Sequence, residues 1–147
     1  MITIDIKLTD DRLKNIADEV RSKASALVRR TAFAVEREAK VNAPVDTGFL
    51  RNSIYTVTDR GNGYDRALAS ATRLGAKRHA GERRSTEGLM LDEVDTPGDL
   101  TAIVAVGAEY GIHVEYGTDR AAAQPYLSPA VDKARPDWEE GLRELFE

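Results

Sequence analysis

From Leu13 to Val35 the apolar residues recur every three or four positions, and the phase never slips. Leu13, Ile16, Ala17, Val20, Ala24, Leu27, Val28, Thr31, Ala34 and Val35 fall in a stripe about 120° wide when wound as a helix. Lys14, Asn15, Asp18, Ser22, Arg29, Glu36 and Lys40 lie opposite. The pattern predicts one helix of about thirty residues, roughly 45 Å long. Thr9-Asp10-Asp11 offers a capping hydroxyl and acidic charge for its first turn. Pro44 stops it, because the residue before proline avoids helical torsions. A rod this long in a chain of 147 residues has to be the spine on which everything else packs.

The remaining segments are shorter. Ile2, Ile4, Ile6 and Leu8 alternate with Thr3, Asp5 and Lys7, the period of a half-buried strand. Leu50 to Thr58 reads as a strand rich in β-branched and aromatic residues, ended by Asp59-Arg60-Gly61-Asn62-Gly63. Tyr64 to Ala71 is the expected return strand. From Arg73 to Asp99 no period holds, and Gly75, Gly81, Gly88, Pro97 and Gly98 interrupt the chain. A low-order loop at about 72–99 is therefore expected within a single domain spanning 1–147. Leu100 to Gly107 is a continuous apolar run, expected as a strand covered on both faces. Tyr110 to Tyr116 reads as a short helical turn closed by Gly117, and Ala121 to Gln124 as a small-residue link. Ser128-Pro129 has the composition of a helix start. Leu127, Val131, Ala134, Trp138, Leu142, Leu145 and Phe146 share one stripe, with Pro136 opposite, so a kinked C-terminal helix is expected. The expected fold class is α+β, with the long and the C-terminal helices packed on a small antiparallel sheet.

Composition removes several kinds of function. The chain has no cysteine, which excludes disulfides and thiolate chemistry. Its two histidines, His79 and His113, lie far apart, so a zinc or iron site would need carboxylates for most of its ligands. No apolar run approaches the ~20 residues of a membrane span. With 21 Lys plus Arg against 25 Asp plus Glu the formal net charge is −4, the wrong sign for a dedicated nucleic-acid binder.

Catalytic readings fare no better. Asp46-Thr47-Gly48 has the composition of an aspartic-protease turn, but those enzymes need two copies, and this chain has one, following a helix. A turn explains each residue: Asp46 accepts local backbone hydrogen bonds and Gly48 supplies permissive torsions. His113 and Glu115 have no third ligand nearby in sequence. Asp92, Glu93 and Asp95 read as a solvated charge run. Phosphate-cradling loops, nucleophile elbows and metalloprotease motifs are absent from the sequence. No catalytic residue, metal ligand or cofactor site is expected.

Two features point to contact rather than catalysis. Phe33 breaks the stripe and projects from the polar face among Ala26, Arg29, Arg30 and Arg37. It reads either as a single stray exposed aromatic or as a contact between subunits, since aromatic plus Arg is a composition found at interface hot spots. Arg73, Lys77, Arg78, His79, Arg83 and Arg84 form the densest basic cluster. They suit solvation, a partner, or phosphates bound without reading sequence.

Three segments, in order, resemble a family of neck and minor tail proteins that join head to tail in long-tailed double-stranded DNA phages. They are Ala43-Pro44-Val45-Asp46-Thr47-Gly48 with Leu50-Arg51 and Ser53-Ile54; Tyr110 through Val114-Glu115-Tyr116-Gly117-Thr118; and Gln124-Pro125-Tyr126-Leu127 with Pro129-Ala130. The segment from about Gly61 to Asp99 is longer than the family's usual link. The resemblance implies a structural subunit whose copies form a ring at the head–tail junction of the virion, assembled in the host cytoplasm. The implied partners are further copies, the head connector or stopper, and a tail terminator or tail-tube protein. Duplex DNA in the channel is a candidate further partner through Arg73, Lys77, Arg78, Arg83 and Arg84. Contact residues expected on this basis are Phe33, Asp46, Thr47, Gly48, Tyr110, Glu115, Tyr116, Gly117, Thr118, Pro125 and Tyr126. Phe33 and Tyr126 are expected on opposite sides of the contact between copies. Two alternatives stand beside the neck ring: a tail terminator or tail-completion protein, and a DNA-contacting protein acting through the 73–84 loop.

Overall fold

The computed structural model describes residues 10–45, 48–78 and 90–147. The alternating segment Met1 to Leu8 lies outside them. The long stripe becomes helix α1, Asp10–Asn42, of 33 residues and therefore about 50 Å. A last backbone bond from Ala43 N–H to the Ala39 carbonyl closes it at 2.9 Å, one residue ahead of Pro44.

Only the C-terminal part of α1 is covered. Leu13 and Ile16 are 59% and 58% exposed, whereas Leu27, Ala32, Val35 and Ala39 are buried. The reason is length. The helix that packs along it, α5 (Leu127–Glu144), has 18 residues and spans about half the rod. The two run antiparallel, with Gly141 against Leu27 at one end and Lys133 paired to Glu38 at 2.7 Å at the other. A methyl group on Gly141 would come within 2.4 Å of Cδ1 of the buried Leu27, so any side chain there forces Leu27 to shift.

The expected strand after the Asp-Thr-Gly turn starts late. Gly48 takes φ +81° and opens a five-residue helix, α2 (Phe49–Ser53), before strand β1 (Ile54–Thr58) begins. Leu50 to Ser53, expected in the strand, are thus helical. Asn52 explains the difference, its Nδ2 donating to the Gly48 carbonyl at 2.7 Å and tying that turn together.

β1 is the centre of a three-stranded antiparallel sheet of order β2-β1-β3, with β2 at Gly61–Asn62 and β3 at Ile103–Val106. Ile54 faces Val106 and Val57 faces Ile103 in register. All five β1 residues are buried because the sheet is covered twice. On one side Thr56 donates its hydroxyl to Glu36 of α1 at 2.6 Å, and Ile54 joins the core of Val35, Ala39 and Phe49. On the other, Tyr55 and Val57 pack against Ala67 and Tyr64. β3, expected to be covered on both faces, is instead a half-buried strand on the sheet's edge.

Tyr64 to Ala71 is a helix, not the return strand: α3 runs Tyr64–Arg78. Asn62 Oδ1 accepts the Tyr64 N–H at 2.9 Å, and Asp65 sits in the first turn, both helix-start features. Tyr64, Ala67 and Ala71 then follow the spacing of one helical face. Residues 72–78 thus continue α3 instead of opening the irregular loop. Residues 90–99 do lack regular structure, apart from a bridge from Met90 to Ala108.

Candidate interaction surface

Tyr110 to Tyr116 folds as expected into a short helix, α4 (Gly111–Tyr116). Its two faces part company. Glu115 points inward and is 7% exposed; its neighbour Tyr116 points outward and is 74% exposed. Glu115 Oε2 accepts the N–H of Tyr126 at 2.8 Å and of Leu127 at 2.9 Å, and Oε1 accepts the N–H of Ser128 at 2.9 Å and its hydroxyl. One carboxylate from α4 therefore caps the first turn of α5, where orphan amides and the positive end of the helix dipole both favour an anion. Burial pushes its pKa up, but the hydroxyl of Ser128 and the three amides outweigh that and hold it at about 2.

Tyr126 closes the same corner from the other side. Its hydroxyl donates to the Gly111 carbonyl at 3.1 Å, and its own carbonyl accepts from Asn42 at the end of α1. At 2% exposure it is the largest fully buried side chain among the described residues. Burial, then the nearby charges of Glu115 and Tyr110, raise its pKa to about 12. The expectation that Tyr126 faces a neighbouring copy is therefore wrong. The phenol fills the space between α1, α2 and α4, leaving nothing to offer outside.

Between these locks the chain bulges out. Gly117 adopts φ +77° with an extended ψ, and a Cβ there would meet Ala123 N at 2.7 Å. Only glycine turns there without strain. Thr118 and Ala121 exchange backbone bonds at 2.8 and 3.3 Å, and Gln124 N–H returns to the Val114 carbonyl at 2.8 Å. The result is a loop pinned at its base whose Thr118 to Pro125 side chains are exposed. Ile112 and Tyr110 are also exposed, and the Tyr110 ring lies 6.2 Å from that of buried Phe49, tilted by 33°. Val41 and Val45, at the end of α1, add to the exposed apolar residues.

The other expected contact residues divide. Phe33 is 50% exposed, as its place off the stripe required. It lies in a groove of about 740 Å³ between α1 and α5. Gly48 and Glu115 are buried, so both serve the interior. Asp46 and Thr47 lie outside the described residues. Arg73 is exposed on α3, and Lys77 and Arg78 belong to that helix. His79, Arg83 and Arg84 lie outside the described residues. A second groove, of about 450 Å³, runs between α1, β3 and α5 and is almost wholly apolar, with Val28, Val104, Val131 and Trp138 among its walls.

Nothing in the described residues resembles a reaction centre. His113 is exposed, and Glu115 is saturated by its four donors. No group of three His, Asp or Glu there is placed to hold a metal ion. No helix among them is long and apolar enough to cross a membrane.

The capping role of Glu115 had no local signature. A capping box is read from a residue three positions away, whereas this carboxylate sits eleven to thirteen residues ahead of the amides it satisfies. The acidic row Asp137, Glu140 and Glu144 on the Phe33 groove has a legible helical spacing, but nothing local in the sequence marks it as facing α1.

Residues 8–117 match the model of the HK97-gp10-like family, described as "Bacteriophage HK97-gp10, putative tail-component". No curated protein and no solved structure shows significant similarity to the chain.

Proposed function

We propose that the chain, which belongs to the HK97-gp10-like family of phage tail components, is a structural subunit of the virion neck. In this reading its copies form a ring that joins the head connector to the tail. The observation that carries the reading is the pinned loop Gly117–Pro125 with Tyr116 and Ile112 beside it. Its base is fixed by Glu115, Tyr126 and the Gln124–Val114 bond, so the exposed side chains lose little freedom when a partner covers them. An exposed Tyr116 with Ile112 one turn before it on the same face of α4 suits a protein contact and has no use in an isolated subunit.

A ring contact is heterologous, one surface meeting a different one on the next copy. The Tyr116 loop is one such surface. The role is one of assembly, with no reaction to perform, and the finished location is the head–tail junction. Tail terminator is the nearest alternative within the same class.

Disruption of the gene tests this. The expected result is full heads and separate tails that do not join in the lysate, restored by the chain supplied in trans. Intact infectious particles without the chain would refute the reading. Tails of uncontrolled length, with normal heads, would assign the chain to the terminator instead.

A further inference from the structure

We propose that the seam between α1 and α5 on the Phe33 side pairs two copies of this chain about a twofold axis running along the seam. Arg30, Phe33 and Arg37 form one wall of the groove, and Asp137, Glu140 and Glu144 form the other. All five charged side chains are exposed, and none forms an ion pair within the described residues. By contrast, most of the neighbouring charges are engaged: Lys133 with Glu38, Arg135 with Asp132 and Lys40 with Glu36.

One wall is thus cationic, with the Phe33 ring between its arginines, and the other is anionic. The helices are antiparallel, Leu27 lying level with Gly141 and Glu38 with Lys133. Arg30 therefore stands level with Glu140, and Arg37 within a turn of Asp137. A half-turn about an axis along the seam sets the α1 of a second copy over the α5 of the first. It brings Arg30 and Arg37 against the acidic row at the same height, and the reverse contact follows by symmetry. The two Phe33 rings then meet diagonally across the axis, where each loses its exposure to water. The face is complementary to itself, so the occupant it fits is a second copy.

This contact does not depend on the ring reading and uses a different surface. A contact of this kind closes on itself at two copies, whereas the Tyr116 loop would build a ring.

The test is the mass of the purified chain by light scattering. Four samples are needed: wild type, an Arg30→Glu/Arg37→Glu variant, an Asp137→Lys/Glu140→Lys/Glu144→Lys variant, and the two variants mixed. Circular dichroism confirms that each variant is folded. The wild type is expected as a dimer at low salt that dissociates at least about tenfold more readily at roughly 500 mM salt. Each variant alone is expected as a monomer, and their mixture as a dimer again. Phe33→Ser, which changes no charge, is expected to weaken the dimer in the same direction. A wild type that stays monomeric at low salt, variants that dimerise alone, or a mixture that stays monomeric would each overturn the proposal. Tyr116→Ser leaves this dimer intact, so failure here and failure of the ring reading are told apart.

Discussion

Glu115 and Tyr116 are adjacent in the chain and opposite in fate, as are Tyr126 and Pro125. Glu115 and Tyr126 turn inward and hold α4, α5 and the end of α1 together through directed hydrogen bonds. Tyr116 and Pro125 turn outward from the same two short segments and touch little of their own chain. The comparison separates two physical tasks that a sequence motif merges. One member of each pair builds the corner; the other is what the corner presents. Burial and exposure, not position in the motif, decide which changes alter folding; on the proposed reading the exposed residues are the ones that alter assembly.

The largest effect is expected from removing an inward member. Glu115→Ala leaves three amides and a hydroxyl without an acceptor and is expected to cost about 3 kcal/mol. A thermal melt should fall by roughly 10 °C. An unchanged melting temperature would show the corner is held by packing alone.

Acid probes the same carboxylate without mutation. The folded pKa of about 2 lies below the usual value of 4.5, so the folded state prefers the ionised form. Its contribution is fully present above pH ~4.5 and is lost as the pH falls toward ~2, on the order of 3 kcal/mol. Urea titrations across that window should show the loss, and Glu115→Gln should flatten that part of the profile.

Next in size is Gly141→Val, which forces atoms into Leu27 and spreads α1 from α5. A destabilisation of about 2 kcal/mol is expected, read by urea denaturation. The outward members complete the series. Tyr116→Ser should shift stability by less than about 0.5 kcal/mol yet reduce the yield of joined particles severely in a complementation assay. Leu13→Ser with Ile16→Ser should be equally silent in a melt, because no described residue packs over that end of α1.

How much of this was readable beforehand follows from the range of the interactions. α1, α4 with its closing Gly117, and the apolar stripe of α5 were legible, because periodicity and glycine are local signals. Pro136 is exposed, on the solvent side that the stripe of α5 requires, and the helix continues through it to Glu144. The misreadings arose where a side chain bonded outside its own element. Asn62 capping α3 turned an expected strand into a helix, and Asn52 tying the Gly48 turn inserted α2 before β1. The full stripe of α1 was visible, but not that a helix half as long would leave Leu13 and Ile16 uncovered. At the site, the exposure of Phe33 was legible from its phase. The burial of Tyr126 was not, because it depends on Asn42 and Gly111, both distant along the chain.

Whether outward residues of the Tyr116 loop are covered only on assembly can be read from the reactivity of a single thiol. The chain has no cysteine, so Tyr116→Cys gives a single reactive thiol. Its rate of maleimide labelling is compared in the free folded chain and in purified particles that contain it. Rapid labelling of the free chain and strong protection in the particle are expected. Equal labelling in both would contradict coverage on assembly.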